Sequence, residues 1–162
     1  MNINFMSEYP WNGKADPPVP TGFAEKILNT LMSDQPHLRP DALNKRHTIR
    51  RIKTNPPRFR EGMKLVLQGG TRFKPIPFAE TVCTGVQTLE MELARVHGTH
   101  YALNVHLLQP GSLPKLLTTN QLHDLAAHDG LTLDTFMRWF SLDLLTNGPG
   151  LYQIVHWTDL RY

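Results

Sequence analysis

Cysteine is almost missing from this chain of 162 residues, where Cys83 stands alone. No intrachain disulfide can form, and a reducing, cytoplasmic setting is the expectation. Long apolar runs are missing too. No stretch approaches the ~18 apolar residues of a membrane span, so no membrane partner is expected. The first ten residues lack the basic start and apolar middle of a secretory signal. Several chemical signatures are also wanting. The four serines fall in no Gly-x-Ser-x-Gly pattern, and Gly69-Gly70-Thr71 is too short for a P-loop. Eight histidines include no His-Glu-x-x-His. Of their closest pairs, His97/His100 and His123/His128, the second is spaced i, i+5 and cannot share a helix face. With no cysteine partner for either pair, neither a metal nor a cofactor is expected.

Positive charge is present, and it is unevenly placed. Residues 1–80 hold 13 Lys/Arg against 7 Asp/Glu, whereas residues 81–162 hold 4 against 7. Between residues 44 and 74 there are ten basic residues and one acid, Glu61. A footprint of that density suggests a phosphate-bearing partner, with a solvated, aggregation-resistant face as the plainer alternative.

Proline and hydrophobic periodicity divide the chain. Four prolines within residues 1–21, among them Pro17, Pro18 and Pro20, predict an extended, peripheral arm pinned by Tyr9 and Trp11. The domain proper is expected over residues 22–162. Phe23, Ile27, Leu28 and Leu31 form one helical stripe capped by Thr21, ending before Pro36. His47–Ile52 is β-prone. Met63–Leu67 reads as a buried strand turning at Gly69-Gly70, Thr81–Leu93 as one long strand with a corner at Gly85, and Tyr101–Leu107 as another. Thr118 or Thr119 caps a helix reaching about His128. Thr132 caps a second, whose buried face is Leu133, Phe136, Phe140 and Leu144. A last strand covers Leu151–Trp157. The expected class is α+β, a small curled sheet or barrel with peripheral helices. Trp139 and Cys83 read as core, and His106 and His156 as satisfied strand histidines.

The segment Lys45-Arg-His-Thr-Ile-Arg50, followed by Phe59-Arg-Glu-Gly-Met-Lys-Leu-Val-Leu67, resembles the ASCH domains, a branch of the PUA-like β-barrels. The resemblance runs from the helix at Phe23 to Leu93 and continues more weakly through 127–133. It implies a barrel of five or six strands with a cleft for RNA or a modified nucleoside. Small bacterial members that look similar are amidohydrolases acting on N4-acetylcytidine. Carried over by position, their lysine and threonine fall on Lys45 and Thr48. Their glutamate falls on Asp129, which is one methylene shorter, roughly 1.5 Å of reach.

The same residues have a reading without the family. A threonine hydroxyl is a poor nucleophile until a base takes its proton, and lysine is such a base only when its pKa falls from about 10.4. Arg46, Arg50 and Arg51 push Lys45 that way. The plain alternative is a surface lysine, an ordinary strand threonine and a turn between helices. The leading expectation is recognition of RNA or a nucleotide by Lys45, Arg46, Arg50 and Arg51, with Arg58, Arg60 and Arg72 steering and Trp157 stacking on a base. One alternative is amide hydrolysis on an acylated cytidine by Lys45, Thr48 and Asp129. A second is an inhibitor or adaptor whose basic face docks on an acidic protein.

Overall fold

The computed structural model describes residues 1–6, 20–32, 44–71, 73–97 and 100–162. The described chain is α+β, with elements β1 (Asn2–Asn4), α1 (Phe23–Met32), β2 (His47–Arg51), β3 (Lys64–Thr71), β4 (Lys74–Val82), β5 (Gly85–His97), β6 (His100–Leu108), β7 (Lys115–Leu116), α2 (Thr119–His128), α3 (Leu133–Asn147) and β8 (Gly150–His156). They form two mostly antiparallel sheets, ordered β1-β3-β4 and β2-β8-β5-β6-β7. Among the described residues no helix is long and apolar enough to cross a membrane.

The expected closed barrel is not formed: no ladder joins the two sheets among the described residues. The chain passes from one sheet to the other at Cys83-Thr84. The Cys83 amide donates to Met63 O in the first sheet's neighbourhood, whereas the next amide, Thr84, donates to His156 O of β8. The chain changes sheets within one residue, so the expected strand over 81–93 is the end of β4 and the start of β5. Gly85 is therefore no corner within a strand. It opens β5, and the Arg161 guanidinium occupies the space a Cβ would need.

β4 escapes sequence reading because Pro75 and Pro77 interrupt it. Both are tolerated because β4 is the edge of its sheet, where the missing N–H faces no partner. Gly69 and Gly70 lie inside β3 rather than in a turn. Gly70 adopts φ +82°, and a Cβ there would come within 2.5 Å of Lys74 O.

The helices match the periodic reading closely. Thr118 caps α2 with a capping box to Gln121, and Thr132 caps α3. Ile27 of α1, Leu125 of α2 and Phe136, Phe140 and Leu144 of α3 are buried with Leu65, Leu89, Met91, Val105 and Ile154 in one core. Phe136 and Phe140 stack at 4.6 Å, and Phe140 meets Tyr152 edge-on at 5.6 Å.

The N-terminus departs from a peripheral arm. Asn2–Asn4 pairs parallel with Val66–Gln68, and Ile3 and Phe5 are buried in the core. The apolar alternation at Ile3 and Phe5 is what a strand with one buried face needs. The prolines Pro10, Pro17 and Pro18, with Tyr9 and Trp11, lie outside the described residues.

Candidate functional site

β2 lies at the edge of the larger sheet, antiparallel to β8. Lys45 precedes its first residue, so strand alternation does not bind it to the opposite face from Thr48. Thr48 and Arg50, two apart, do share a face. All three line a cavity of ≈ 410 Å³, together with Asp129, Phe5, Phe23 and Trp139. Asp129 is delivered by the end of α2, where Gly130 takes φ +76°. A Cβ on Gly130 would sit 3.2 Å from Lys45 Cβ and 3.3 Å from Lys26 Cδ. The glycine is thus required both by the left-handed turn and by the close passage of two lysines.

Lys45 is buried, 1% exposed. Its ammonium donates to the Asp129 carboxylate in a short ion pair and to Asp129 O at 2.5 Å. It also stands over the Phe23 ring, 4.3 Å from the centroid. Burial is the main influence on its pKa and lowers it to about 8. Asp129 opposes the shift, and Arg50 and Lys26 reinforce it. Arg50 is one of the three arginines expected to act in this way, and Lys26 is an addition that sequence adjacency did not suggest. Burial likewise raises the Asp129 carboxyl, against the pull of Lys45, Arg50 and the Ile49 amide. The shorter side chain costs no reach toward Lys45. Neither side-chain hydrogen bond of Lys45 goes to Thr48.

Arg50 donates to Asn4 O at 2.6 Å and lies 5.3 Å from the Phe5 ring centroid. Its Nε is buried with no hydrogen-bond partner among the described residues. A second cavity of ≈ 470 Å³ adjoins the first along Arg50, Lys53 and Asp143, and is also lined by Arg51 and Arg58.

The other expected contacts divide. Arg51 lines the second cavity but serves the fold. It pairs with Asp143 at 2.9 Å and donates to the carbonyls of Asn147, Gly148 and Pro149, closing the C-terminal end of α3. Arg46 lines neither cavity, and its charge acts on His128 and Tyr162. Arg60 is exposed and also lines neither. Trp157 is no stacking platform: it is 4% exposed, donates from Nε1 to Lys45 O at 3.1 Å, and meets Phe5 edge-on. Arg72 lies outside the described residues. Cys83 is buried, and burial raises its thiol pKa.

A second cluster escaped sequence reading. The Tyr162 hydroxyl bridges His47 Nε2 at 2.8 Å and His128 Nδ1 at 2.9 Å. His156, in direct register with His47, bonds Gln87 through Nε2 at 3.0 Å. His47 Nδ1 lies 3.8 Å from the Asp129 carboxylate, too far for a hydrogen bond. Burial, above all, holds all three imidazoles below their ordinary pKa, His156 at about 3. Among the described residues His47 and His156 each keep a buried Nδ1 without a partner, so the expectation of a satisfied His156 holds there at one nitrogen only. Among the described residues no group of His, Cys, Asp and Glu is arranged to hold a metal ion. Comparison with protein-family models, characterised proteins and solved structures finds no match.

Proposed function

We propose that this chain is an ASCH-like, PUA-related domain that binds RNA or a nucleotide in the cavity formed by Lys45, Thr48, Arg50 and Asp129. The observation that supports it is convergence. Residues from the entry to β2 and from the end of α2 meet in one aromatic-walled cavity, and a buried guanidinium nitrogen there has no partner among the described residues. An unmet buried donor costs about 1–3 kcal/mol, which a ligand acceptor would return. Binding of short single-stranded RNA, followed by fluorescence anisotropy, is expected to weaken about 10–100-fold in Arg50→Ala. It should also fall with salt, by a log–log slope of about −0.7 per neutralised phosphate. Binding indifferent to both would exclude the reading, and binding of an acidic protein that short RNA does not displace would favour the adaptor alternative.

One observation favours chemistry as a second reading: the Lys45 pKa near 8 beside a buried carboxylate. In that reading Asp129 takes the Lys45 proton, and the neutral amine accepts the Thr48 proton as its oxygen attacks the amide carbonyl. The protonated Asp129 then gives its proton to the leaving amine; water, giving a proton to the Asp129 carboxylate, cleaves the resulting Thr48 ester, and that proton passes to the threonine oxygen as the acid leaves. Lys45 must turn from Asp129 toward Thr48 for this, since its side-chain hydrogen bonds go to Asp129. The assay is cytidine release from N4-acetylcytidine. Turnover is expected to drop by about 10³-fold or more in Thr48→Val, as for loss of a nucleophile. Turnover that persists in that variant would remove Thr48 from the chemistry.

A further inference from the structure

The two adjoining cavities differ in character. The inner one has the walls of Phe23 and Trp139 around Lys45, Thr48 and Asp129. The outer one is lined by Asn2, Asn4, Gln153 and cationic side chains. Asp143, the one carboxylate among the described residues that line both, is already held by Arg51, by the Tyr152 hydroxyl and by Asn147 Nδ2 at 2.8 Å. These bonds keep its pKa low, and Arg51 cancels its charge. What remains along the outer cavity is the charge of Arg50, Lys53 and Arg58, with no acid to balance it among the described lining residues.

The three cations are not equally committed. Arg50 spends one amino group on Asn4 O, and its buried Nε has no partner among the described residues. Arg58 donates only weakly, from Nε to Met1 Sδ at 2.9 Å, and is exposed. Lys53 is exposed and lines both cavities. Guanidinium groups present paired donors that match the oxygens of a phosphate, and charge-assisted bonds to phosphate are about twice as strong as neutral ones. A cation row leading out of a base-sized, aromatic-walled cavity therefore has the layout for a phosphate ester attached to whatever occupies the inner cavity.

We propose that the outer cavity is a phosphate subsite, so that the ligand is a phosphorylated nucleoside unit and not a free nucleoside. The base and sugar occupy the inner cavity, Arg50 stands at the junction, and Lys53 and Arg58 hold the phosphate. This rests on the reading of the inner cavity as a nucleotide site, and deepens it by naming the chemical class. A free mononucleotide and one unit of an RNA strand share that chemistry.

Calorimetry on the intact chain separates the cases. The probes are the four ribonucleosides, their 5′- and 3′-monophosphates, a trinucleotide, and inorganic phosphate. The best monophosphate is expected to bind at least about tenfold more tightly than its nucleoside, one charge-assisted contact's worth. Arg58→Ala and Lys53→Ala, both at exposed positions, should bring that ratio toward one, and raised salt should narrow it. A trinucleotide that outbinds the monophosphate assigns the subsite to a strand; equal affinities assign it to a free nucleotide. Nucleoside and monophosphate binding alike, or a ratio untouched by both variants, overturns the phosphate subsite while leaving the inner site standing. If no nucleoside, monophosphate or trinucleotide binds at low salt, the inner-site reading and this one fall together.

Discussion

Asp129→Ala is expected to lower the stability of the fold by about 3–5 kcal/mol at pH 7, the cost of stranding a buried charge. Among the described residues the Lys45 ammonium has no other carboxylate as a hydrogen-bond partner, and its chain is sealed between Phe5, Phe23 and the turn at Gly130. Without Asp129 it keeps an unpaired charge or gives up its proton, and either course costs folding free energy. Lys45→Met alone strands the partner carboxylate and should cost similarly. The double variant Lys45→Met/Asp129→Leu should recover most of the loss, because a buried ion pair stabilises little relative to apolar groups of like volume. Urea unfolding of the four proteins gives the coupling directly. A loss below about 1 kcal/mol for Asp129→Ala, or two single losses that simply add, would show the pair to be solvated in practice. Recovery of stability without recovery of nucleotide binding would mean the pair is kept for the ligand, at the expense of the core.

The features that sequence reading found and those it missed follow a physical division. Local signals carried well. The threonine caps at 118 and 132 and the 3.6-residue stripe of α3 recur in the structure nearly residue for residue, because capping and amphipathicity involve neighbours within one turn. The change of sheet at Cys83-Thr84 was not legible, since an extended chain looks the same whichever sheet it joins. β4 was hidden by prolines that only an edge position permits. Lys45 and Asp129, 84 residues apart, were paired through a family resemblance and not by any spacing. The basic segment shows the limit most plainly. Arg50, Arg51 and Arg58 read alike in sequence, yet Arg51 is committed to the end of α3 and Trp157 is enclosed behind Lys45. The His47–His156 neighbourhood depends on β2 pairing with β8, a contact across more than a hundred residues.

Acid is expected to unfold this chain early, with stability falling steeply as pH drops from about 6.5 toward 4. His47 and His156 are buried and neutral, and His128 is partly so; each binds its proton more weakly folded than unfolded. Their contribution is intact above the unfolded value of about 6.5 and is lost as pH falls toward the folded values, about 3 for His156. Each histidine that stays neutral while its unfolded counterpart is charged adds a slope of about 1.4 kcal/mol per pH unit. His156 alone removes about 3 kcal/mol by pH 4.5, and His47 and His128 add to the loss in the same direction, against a total of about 5–15 kcal/mol for a typical domain. The surrounding charges do not reverse the sign. Arg46, Arg161 and Lys45 oppose protonation of the cluster, and the Asp124 carboxylate favours it only at His128. Lys45, lowered to about 8, has completed its own effect before pH 7. Asp129, with its pKa raised, takes up a proton ahead of the unfolded chain and offsets part of the loss, one group against three. Asp143, held low, adds to the loss only below about pH 4. Urea unfolding at pH 7.5, 6.5, 5.5 and 4.5 measures the slope. His156→Gln should reduce it by about one proton's worth and move the acid midpoint downward, whatever it costs at pH 7.5. A stability that stays level between pH 7.5 and 5 would mean that the folded chain protonates these imidazoles freely, and that the Tyr162 cluster opens to water.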